Sequence, residues 1–266
     1  MVLFPEFENT ILWQRVARAL RVVALACVAL AAMPAAAEQR VVIGAEDDWY
    51  PFSGVVNGQL RGMGVDIVRA AFAATGVNIE LDVVPYARCL ELTRQGKYVA
   101  CFDTVRNRVT EADFQWPHAP LFRPEIGIYA HRLSGEHGVN VGSLAGKRVA
   151  VTRAYEYGEA FDTMSGVDRI VTDRDAYGFR MLAARRADYM LAYVRVADYV
   201  LAHAAKDVSD QIVLVGMAAQ VDIYLAFSRT HPQAGKYLDL FERGFAMIER
   251  DGTWRAIEKR WATANR

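Results

Sequence analysis

Apolar positions along this chain alternate between the two-residue period of β-strands and the wider spacing of α-helices. Between residues 40 and 102 the pattern predicts a strand, a helix, a strand, a helix and a strand, in that order. Gly76 and Gly96 follow the two predicted helices, as expected of residues that end helices. This order predicts a mostly parallel sheet with helices on its faces. The predicted strands are residues 40–45, 79–84 and 98–102, and the predicted helices are residues 64–74 and 87–95.

The pattern begins again after a loop that contains Pro117, Pro120 and Pro124. No stretch rich in glycine and serine separates the halves, so we predict a short, double connection made of strands. The fold class is therefore α/β with two lobes, residues 38–122 plus 229–266 and residues 123–228. The predicted strands are residues 127–130, 147–152, 169–172, 189–193, 212–215 and 223–228, and the predicted helices are residues 156–164, 173–186 (capped by Asp173), 195–205, 232–249 and 253–263.

The first residues predict export from the cytoplasm. Arg15, Arg18 and Arg21 precede an apolar run over residues 22–33, and small residues then end at Ala37. This is typical of a signal peptide, residues 1–37, and predicts a periplasmic protein. A membrane anchor is the alternative, but spanning a bilayer takes about 20 apolar residues. Lipidation at Cys27 would leave the apolar residues 28–33 on the secreted chain.

Composition narrows the classes of function. The chain has 266 residues, with 31 Lys and Arg against 31 Asp and Glu. This balance argues against a nucleic-acid partner, which calls for a basic surplus. The three cysteines and five scattered histidines form no zinc pattern, and no nucleotide loop is present, so we expect neither metal nor cofactor.

Five stretches of sequence, in this order, are similar to a known family. They are residues 48–52 (DWYPF) with 58–62 (GQLRG), residues 85–90 (PYARCL), residues 108–117, residues 144–151 (LAGKRVAV) and residues 251–254 (DGTW). The chain thus resembles the periplasmic solute-binding proteins of extracellular family 3, which serve ABC importers of polar amino acids. The resemblance implies a type II periplasmic binding protein fold, two α/β lobes joined by a two-strand hinge. It also implies a small-molecule ligand between the lobes, an ABC permease as partner, and a monomer.

In the first lobe, the resemblance implies that Arg108 clamps a ligand carboxylate through two parallel hydrogen bonds. Arg106 is the competing candidate, and a surface arginine is the structural alternative. Asp103 and Thr104 lie in the preceding turn, where the family makes hydroxyl contacts with its ligand. Asp103 could equally be an ordinary turn residue.

Aromatic and charged residues complete the first-lobe candidates. Trp49 stands where the family stacks an aromatic ring on the ligand, and a tryptophan face can also hold a cation. Glu46 begins a run of three acids that favours a cationic ligand group or is simply solvated. Tyr86 and Arg88 match a Pro-aromatic-x-Arg motif seen in part of the family, and Arg88 points to the cleft or caps its helix.

In the second lobe, the expected ligand contacts are replaced by bulky residues. Tyr155 lies in the segment that matches the family's loop of small hydroxyl residues, and Tyr193 stands in place of the aspartate that pairs with an amino acid's ammonium group. A standard α-amino acid is therefore in doubt, and the pocket suits an organic acid, an aromatic acid or a modified amino acid.

The function expected from these residues is capture of a small carboxylate-bearing ligand outside the cytoplasm, for an ABC importer. A stand-alone sensor or accessory protein with the same cleft is the alternative. We expect no enzyme, because no catalytic constellation is present. A dehydratase that uses Glu156 or Glu159 as an acid is the remaining enzyme hypothesis.

We also predict a disulfide between Cys89 and Cys101, the only cysteines left once Cys27 is removed. One lies on a predicted helix and the other on the next strand, and such neighbours pack together. A bridge needs Cα atoms about 4.4–6.8 Å apart. Two free buried thiols are the alternative.

Overall fold

The computed structural model describes residues 41–263. The predicted signal peptide, residues 1–37, lies outside the described residues, as does Cys27. The strands are β1 (Val41–Glu46), β2 (Asp48–Trp49), β3 (Ser53–Val56), β4 (Gln59–Arg61), β5 (Ile79–Val84), β6 (Ala100–Val105), β7 (Phe114–Gln115), β8 (Glu125–His131), β9 (Arg148–Thr152), β10 (Asp168–Thr172), β11 (Tyr189–Tyr193), β12 (Ile212–Gln220) and β13 (Ile223–Ser228). The α-helices are α1 (Met63–Ala74), α2 (Tyr86–Arg94), α3 (Glu159–Asp162), α4 (Asp175–Ala183), α5 (Val194–Ala202), α6 (Ala234–Arg250) and α7 (Thr253–Thr263), and short 3-10 helices cover Arg132–Ser134, Val141–Leu144 and Lys206–Gln211.

Two five-stranded sheets define the two lobes. The first lobe has the strand order β5-β1-β6-β13-β7, and the second has β10-β9-β11-β8-β12. The strands at the start of each sheet are parallel, as predicted, whereas β13 and β8 run antiparallel to their neighbours. No helix within the described residues is long and apolar enough to cross a membrane.

The C-terminal helices pack on the first lobe. Helix α6 crosses α1 so closely that a Cβ atom at Gly244 would lie 1.8 Å from the carbonyl oxygen of Ala71. Only glycine fits at this contact. From α7, the Trp261 indole donates a hydrogen bond to Asp66 on α1 at 2.8 Å. The chain therefore returns to its first lobe after building the second.

The chain passes between the two lobes twice, through segments that lie side by side. The amide of Ile223 donates to the carbonyl of Phe122 at 3.0 Å, and that of Val221 donates to Pro124 at 3.2 Å. The lobe limits given above stay a prediction. Strand pairing places Ile223–Ser228 in the first sheet, so the second crossing ends before that strand rather than after it.

Several details differ from the sequence-based expectation. A three-stranded sheet of β2, β3 and β4 was not predicted, although Asn57 and Gly58 form its two-residue turn with φ of 52° and 74°. Asn-Gly favours such turns because both central residues need positive φ. Helix α3 covers only Glu159–Asp162, because the preceding residues form a loop. Asp173 does not cap α4: Arg174 is its N-cap residue, and Asp175 opens the helix.

Candidate functional site

A cavity of about 280 Å³ lies between the two lobes. First-lobe residues reach it from the end of β1 and the start of α2, and second-lobe residues reach it from the segments after β9 and β10. Ligands of open α/β sheets bind at such carboxyl ends of strands. The cavity is lined by Glu46, Asp47, Asp48, Pro85, Tyr86, Ala87, Thr152, Arg153, Tyr155, Asp173 and Arg174.

Asp103 is buried beside this cavity in an unusual conformation. Strands β1 and β6 are parallel with Gly44 opposite Cys101, so Glu46 and Asp103 stand two residues further on along neighbouring strands. The pairing of β6 with β13 skips a residue here, and Asp103 has a φ of 69°. Bulges of this kind re-aim side chains near functional sites. Asp103 is 5% exposed, and neither carboxyl oxygen has a hydrogen-bond partner within residues 41–263. Burial therefore raises its pKa well above the usual value.

Helix α1 begins against the Asp103 carboxyl group. A Cβ atom at Gly64, in the first turn of this helix, would lie 2.6 Å from Asp103 Oδ1. Glycine is thus needed at this position for the carboxyl group to keep its place.

Glu46 is the second buried acid of the first lobe, 4% exposed. Its carboxylate accepts a hydrogen bond from the Tyr155 hydroxyl of the second lobe. Burial raises the pKa of Glu46 well above its usual value, the Tyr155 hydrogen bond opposes this shift, and the nearby Asp103 carboxyl adds to it. This effect agrees with the positions of the two residues on the neighbouring strands β1 and β6.

Glu156, in the second-lobe loop, is held by two tyrosines. The Tyr86 hydroxyl donates to its carboxylate, with distances of 3.0 Å to Oε2 and 3.2 Å to Oε1. The Tyr193 hydroxyl donates to the backbone carbonyl of Glu156 at 2.8 Å. Enclosure of the carboxyl group raises the pKa of Glu156 to about 8, and the Tyr86 hydrogen bond opposes this shift.

Asp175 is a buried acid that the sequence did not single out. It opens α4, is 3% exposed, and accepts a hydrogen bond through Oδ1 from the hydroxyl of Thr152. Its Oδ2 atom has no partner. Burial raises the pKa of Asp175 to about 7. An acidic residue in the first turn of a helix that follows a strand was the available signal.

Aromatic rings run continuously from the crossing segments to the cavity. Trp49 lies 4.6 Å from Phe52 and 4.8 Å from Tyr193, measured between ring centres. Tyr155 then lies 6.2 Å from Tyr193 and 5.7 Å from Tyr86. Trp49 is 2% exposed, and its Nε1 atom has no hydrogen-bond partner among the described residues. Of these rings, Tyr155 bonds the Glu46 carboxylate directly.

The arginines that line the cavity are already paired with acids. Arg174 of the second lobe bonds Asp47 at 2.9 Å and Asp48 at 2.8 Å across the cleft. Arg153 bonds its neighbour Asp173 at 2.8 Å. Both guanidinium groups therefore already have acidic partners, although Arg153 uses only its Nε atom for this bond.

The three arginines predicted as site residues are absent from the lining of this cavity. The Arg108 side chain is 83% exposed and bonds Glu159 of the second lobe at 2.8 Å. Arg106 holds Glu111 through two hydrogen bonds, of 2.5 Å and 2.7 Å. Arg88 is exposed on α2. Their roles in binding stay predictions.

The other predicted residues come together. Glu46, Tyr86 and Tyr155 line the cavity, and Trp49 and Tyr193 belong to the aromatic rings beside it. Thr104 is fully buried on β6 next to Asp103. A disulfide joins Cys89 on α2 to Cys101 on β6, with a Cα–Cα distance of 5.8 Å. This bond fastens the helix that carries Tyr86 to the strand that carries Asp103.

Comparison with known proteins defines the class. The family of bacterial extracellular solute-binding proteins, family 3, matches residues 41–264. The chain belongs to this family, as its sequence motifs predicted. No relative was found among curated proteins.

Solved structures show the same fold. A histidine kinase sensor domain with similarity to periplasmic binding proteins has a TM-score of 0.72 at 21% identity, covering 85% of this chain and 96% of that chain. A mutant of ArgBP from T. maritima has a TM-score of 0.71 at 17% identity, covering 84% and 95%. The arginine-, lysine-, histidine-binding protein ArtJ from Geobacillus stearothermophilus has a TM-score of 0.69 at 16% identity, covering 84% and 95%. The predicted type II two-lobed fold is confirmed.

Proposed function

We propose that this protein captures a small solute between its two lobes in the periplasm and delivers it to an ABC permease. The observation that carries the proposal is the set of direct bonds between lobes around one cavity. Tyr155 bonds Glu46, Tyr86 bonds Glu156, and Arg174 bonds Asp47 and Asp48. Lobes that meet around a cavity are typical of proteins that close over a ligand by a hinge motion. Membership of family 3 supports the same role.

The two crossing segments supply the hinge in this proposal. They are short and paired to each other at Phe122 and Ile223, so a few backbone torsions there would rotate one lobe against the other. The bonds between the lobes then stabilise the closed arrangement, and a bound solute adds its own contacts with both lobes.

Two experiments test this function in sequence. Thermal unfolding of the purified protein with a library of metabolites finds the solute, because a ligand of the folded state raises the unfolding temperature. Uptake of that solute is then measured in cells with and without the gene. The proposal expects uptake to be lost with the gene and restored by its return. Unchanged uptake contradicts it.

A sensor function is the second candidate, supported by the similarity to the histidine kinase sensor domain. In that case deletion of the gene abolishes a transcriptional response to the solute and leaves its uptake intact. The proposed function is not enzymatic. Chemical change of the solute during incubation with the protein would contradict this, and Glu156→Gln would then test the acid hypothesis.

A further inference from the structure

The buried acids around the cleft lack cationic partners, whereas the arginines that line it are bonded to acids. Three carboxyl groups, those of Glu46, Asp103 and Asp175, are each at most 5% exposed, and none of them is bonded to a cation in the part of the chain that the structure describes. Arg153 and Arg174, by contrast, each already hold an acid. The buried acids of the cleft therefore lack positively charged partners, which a ligand could supply.

Asp103 is the acid that most clearly lacks a partner. Both of its oxygens are buried without a partner, and a buried acceptor without a donor costs free energy. The backbone at this residue is bulged and has positive φ, a conformation that persists at functional sites when the surroundings support it. The result is a buried carboxyl group on the strand next to Glu46, which itself lines the cavity. A cation with several donor hydrogens satisfies both.

The aromatic rings beside these acids fit the same ligand. Trp49, Tyr193 and Tyr155 form a continuous group of rings, and Tyr155 is bonded to Glu46 itself. Ring faces attract ammonium and guanidinium groups, most strongly where water is excluded.

We propose that the cleft binds a small organic cation, an amine or a guanidine, whose positive group is held by Asp103 and Glu46 and covered by the rings of Trp49 and Tyr193. A carboxylate on the ligand is not required, because the arginines lining the cavity are paired with its own acids. This inference names the solute class of the proposed function and rests on it. It departs from the carboxylate-bearing ligand expected from the sequence.

Calorimetric titration with two matched pairs of compounds tests this proposal. Agmatine and arginine differ by one carboxylate, as do cadaverine and lysine, and succinate supplies a carboxylate without a cation. We expect at least one amine to bind about tenfold tighter than its parent amino acid. An amino acid that binds as tightly as its amine overturns the proposal, as does binding of succinate alone or of no amine.

Substitutions test whether the amine binds at Asp103 and Glu46. Asp103→Asn and Glu46→Gln each keep the shape of the side chain and remove its charge, and we expect each to raise the dissociation constant of the amine at least about tenfold. Asp207→Asn is the matched control, because Asp207 pairs with Arg180 on the surface and is 57% exposed. Thermal unfolding verifies that each variant folds. Two acidic positions are substituted so that, if one variant does not fold, the other still tests the proposal.

The outcomes separate this inference from the proposed function. Tight binding of arginine or succinate, with uptake lost on gene deletion, leaves solute capture standing and overturns the cationic ligand. Tight binding of an amine that both charge-removing variants retain also overturns the assignment to Asp103 and Glu46. Amine binding that both variants weaken, with uptake unaffected by deletion, supports the inference and contradicts the import function.

Discussion

The hydroxyl of Tyr86, at the start of a first-lobe helix, donates a hydrogen bond to the carboxylate of Glu156 in a second-lobe loop, at 3.0 Å to Oε2. The two residues are 70 positions apart in the sequence. Tyr193 holds the same loop through the Glu156 carbonyl, so side chain and backbone are both fixed. The position of this acid therefore depends on contact between the two lobes.

Removal of the Tyr86 hydroxyl should weaken the closed structure. We predict that Tyr86→Phe lowers the free energy of unfolding by about 1 kcal/mol, because the hydrogen bond to the Glu156 carboxyl group is lost. Urea denaturation measures the change. Tyr177→Phe is the control, since Tyr177 is 54% exposed on α4 and its replacement should change the free energy by less than about 0.5 kcal/mol. Equal effects of the two substitutions would show that the bond to Glu156 does not stabilise the fold.

Glu156 should make the protein less stable as the pH rises. Its usual pKa is 4.5, and enclosure raises the pKa to about 8 in the folded state, among Tyr86, Tyr193, Asp162 and Arg94. The folded state therefore holds its proton where the unfolded chain has released it. Between about pH 5 and pH 8 this group lowers the free energy of unfolding by roughly 1 kcal/mol per pH unit.

Glu156→Gln tests this dependence, because glutamine does not titrate. We expect the variant's free energy of unfolding, measured by urea denaturation from pH 5 to pH 8, to fall less steeply than that of the unmodified protein. The pKa of Asp175 is also raised, to about 7, so the free energy of unfolding of the variant still falls with pH, but less steeply. Parallel curves for the two proteins would contradict the raised pKa of Glu156.

The disulfide between Cys89 and Cys101 closes a loop with a sequence separation of 12. We predict that a reductant lowers the free energy of unfolding by roughly 3 kcal/mol, chiefly because the unfolded chain gains freedom. The double variant Cys89→Ala with Cys101→Ala should not respond to reductant. Intact-mass measurement after alkylation without reduction is the direct check, and two labelled thiols per denatured chain would refute the bond.

Arg108→Ala distinguishes the carboxylate clamp expected from the sequence from the acidic site found in the cleft. A clamp would cost about 2–5 kcal/mol of binding free energy when removed. The side chain is 83% exposed and bonded to Glu159, so we predict a change below about 1 kcal/mol, as for surface ion pairs. Calorimetry with the solute found by thermal screening gives the value. A loss in the larger range would restore Arg108 as the principal ligand-binding residue.

The element order could be predicted because apolar spacing reports the face that each segment buries. Helix α1 was expected over residues 64–74 and spans Met63–Ala74. The predicted second lobe included strand β13, which pairs with β6 of the first sheet, because nothing in the strand's own apolar pattern says which sheet it joins. That choice depends on pairing with β6, more than 100 residues earlier in the chain.

The site was predictable only in part, for a related reason. Trp49 could be named because the family resemblance places an aromatic ring there, and Glu46 because it begins the run of acids just before that ring. The isolation of the Asp103 carboxyl group arises from a bulge and from the approach of Gly64, which only the folded chain reveals. The ion pairs of the arginines could not be predicted, because a sequence shows a guanidinium without showing the acid that holds it, as Glu159 holds Arg108.

A crystal structure with the compound that gives the largest thermal shift would show directly whether a cation binds at the buried acids of the cleft. We predict that this compound lies between the two sheets, with a positively charged nitrogen within about 3.5 Å of a carboxyl oxygen of Asp103 or Glu46. A compound bound outside the cleft would contradict solute capture by the two lobes. A compound in the cleft with a carboxylate on Arg106 or Arg108, and no cation at the buried acids, would contradict the assignment of the site.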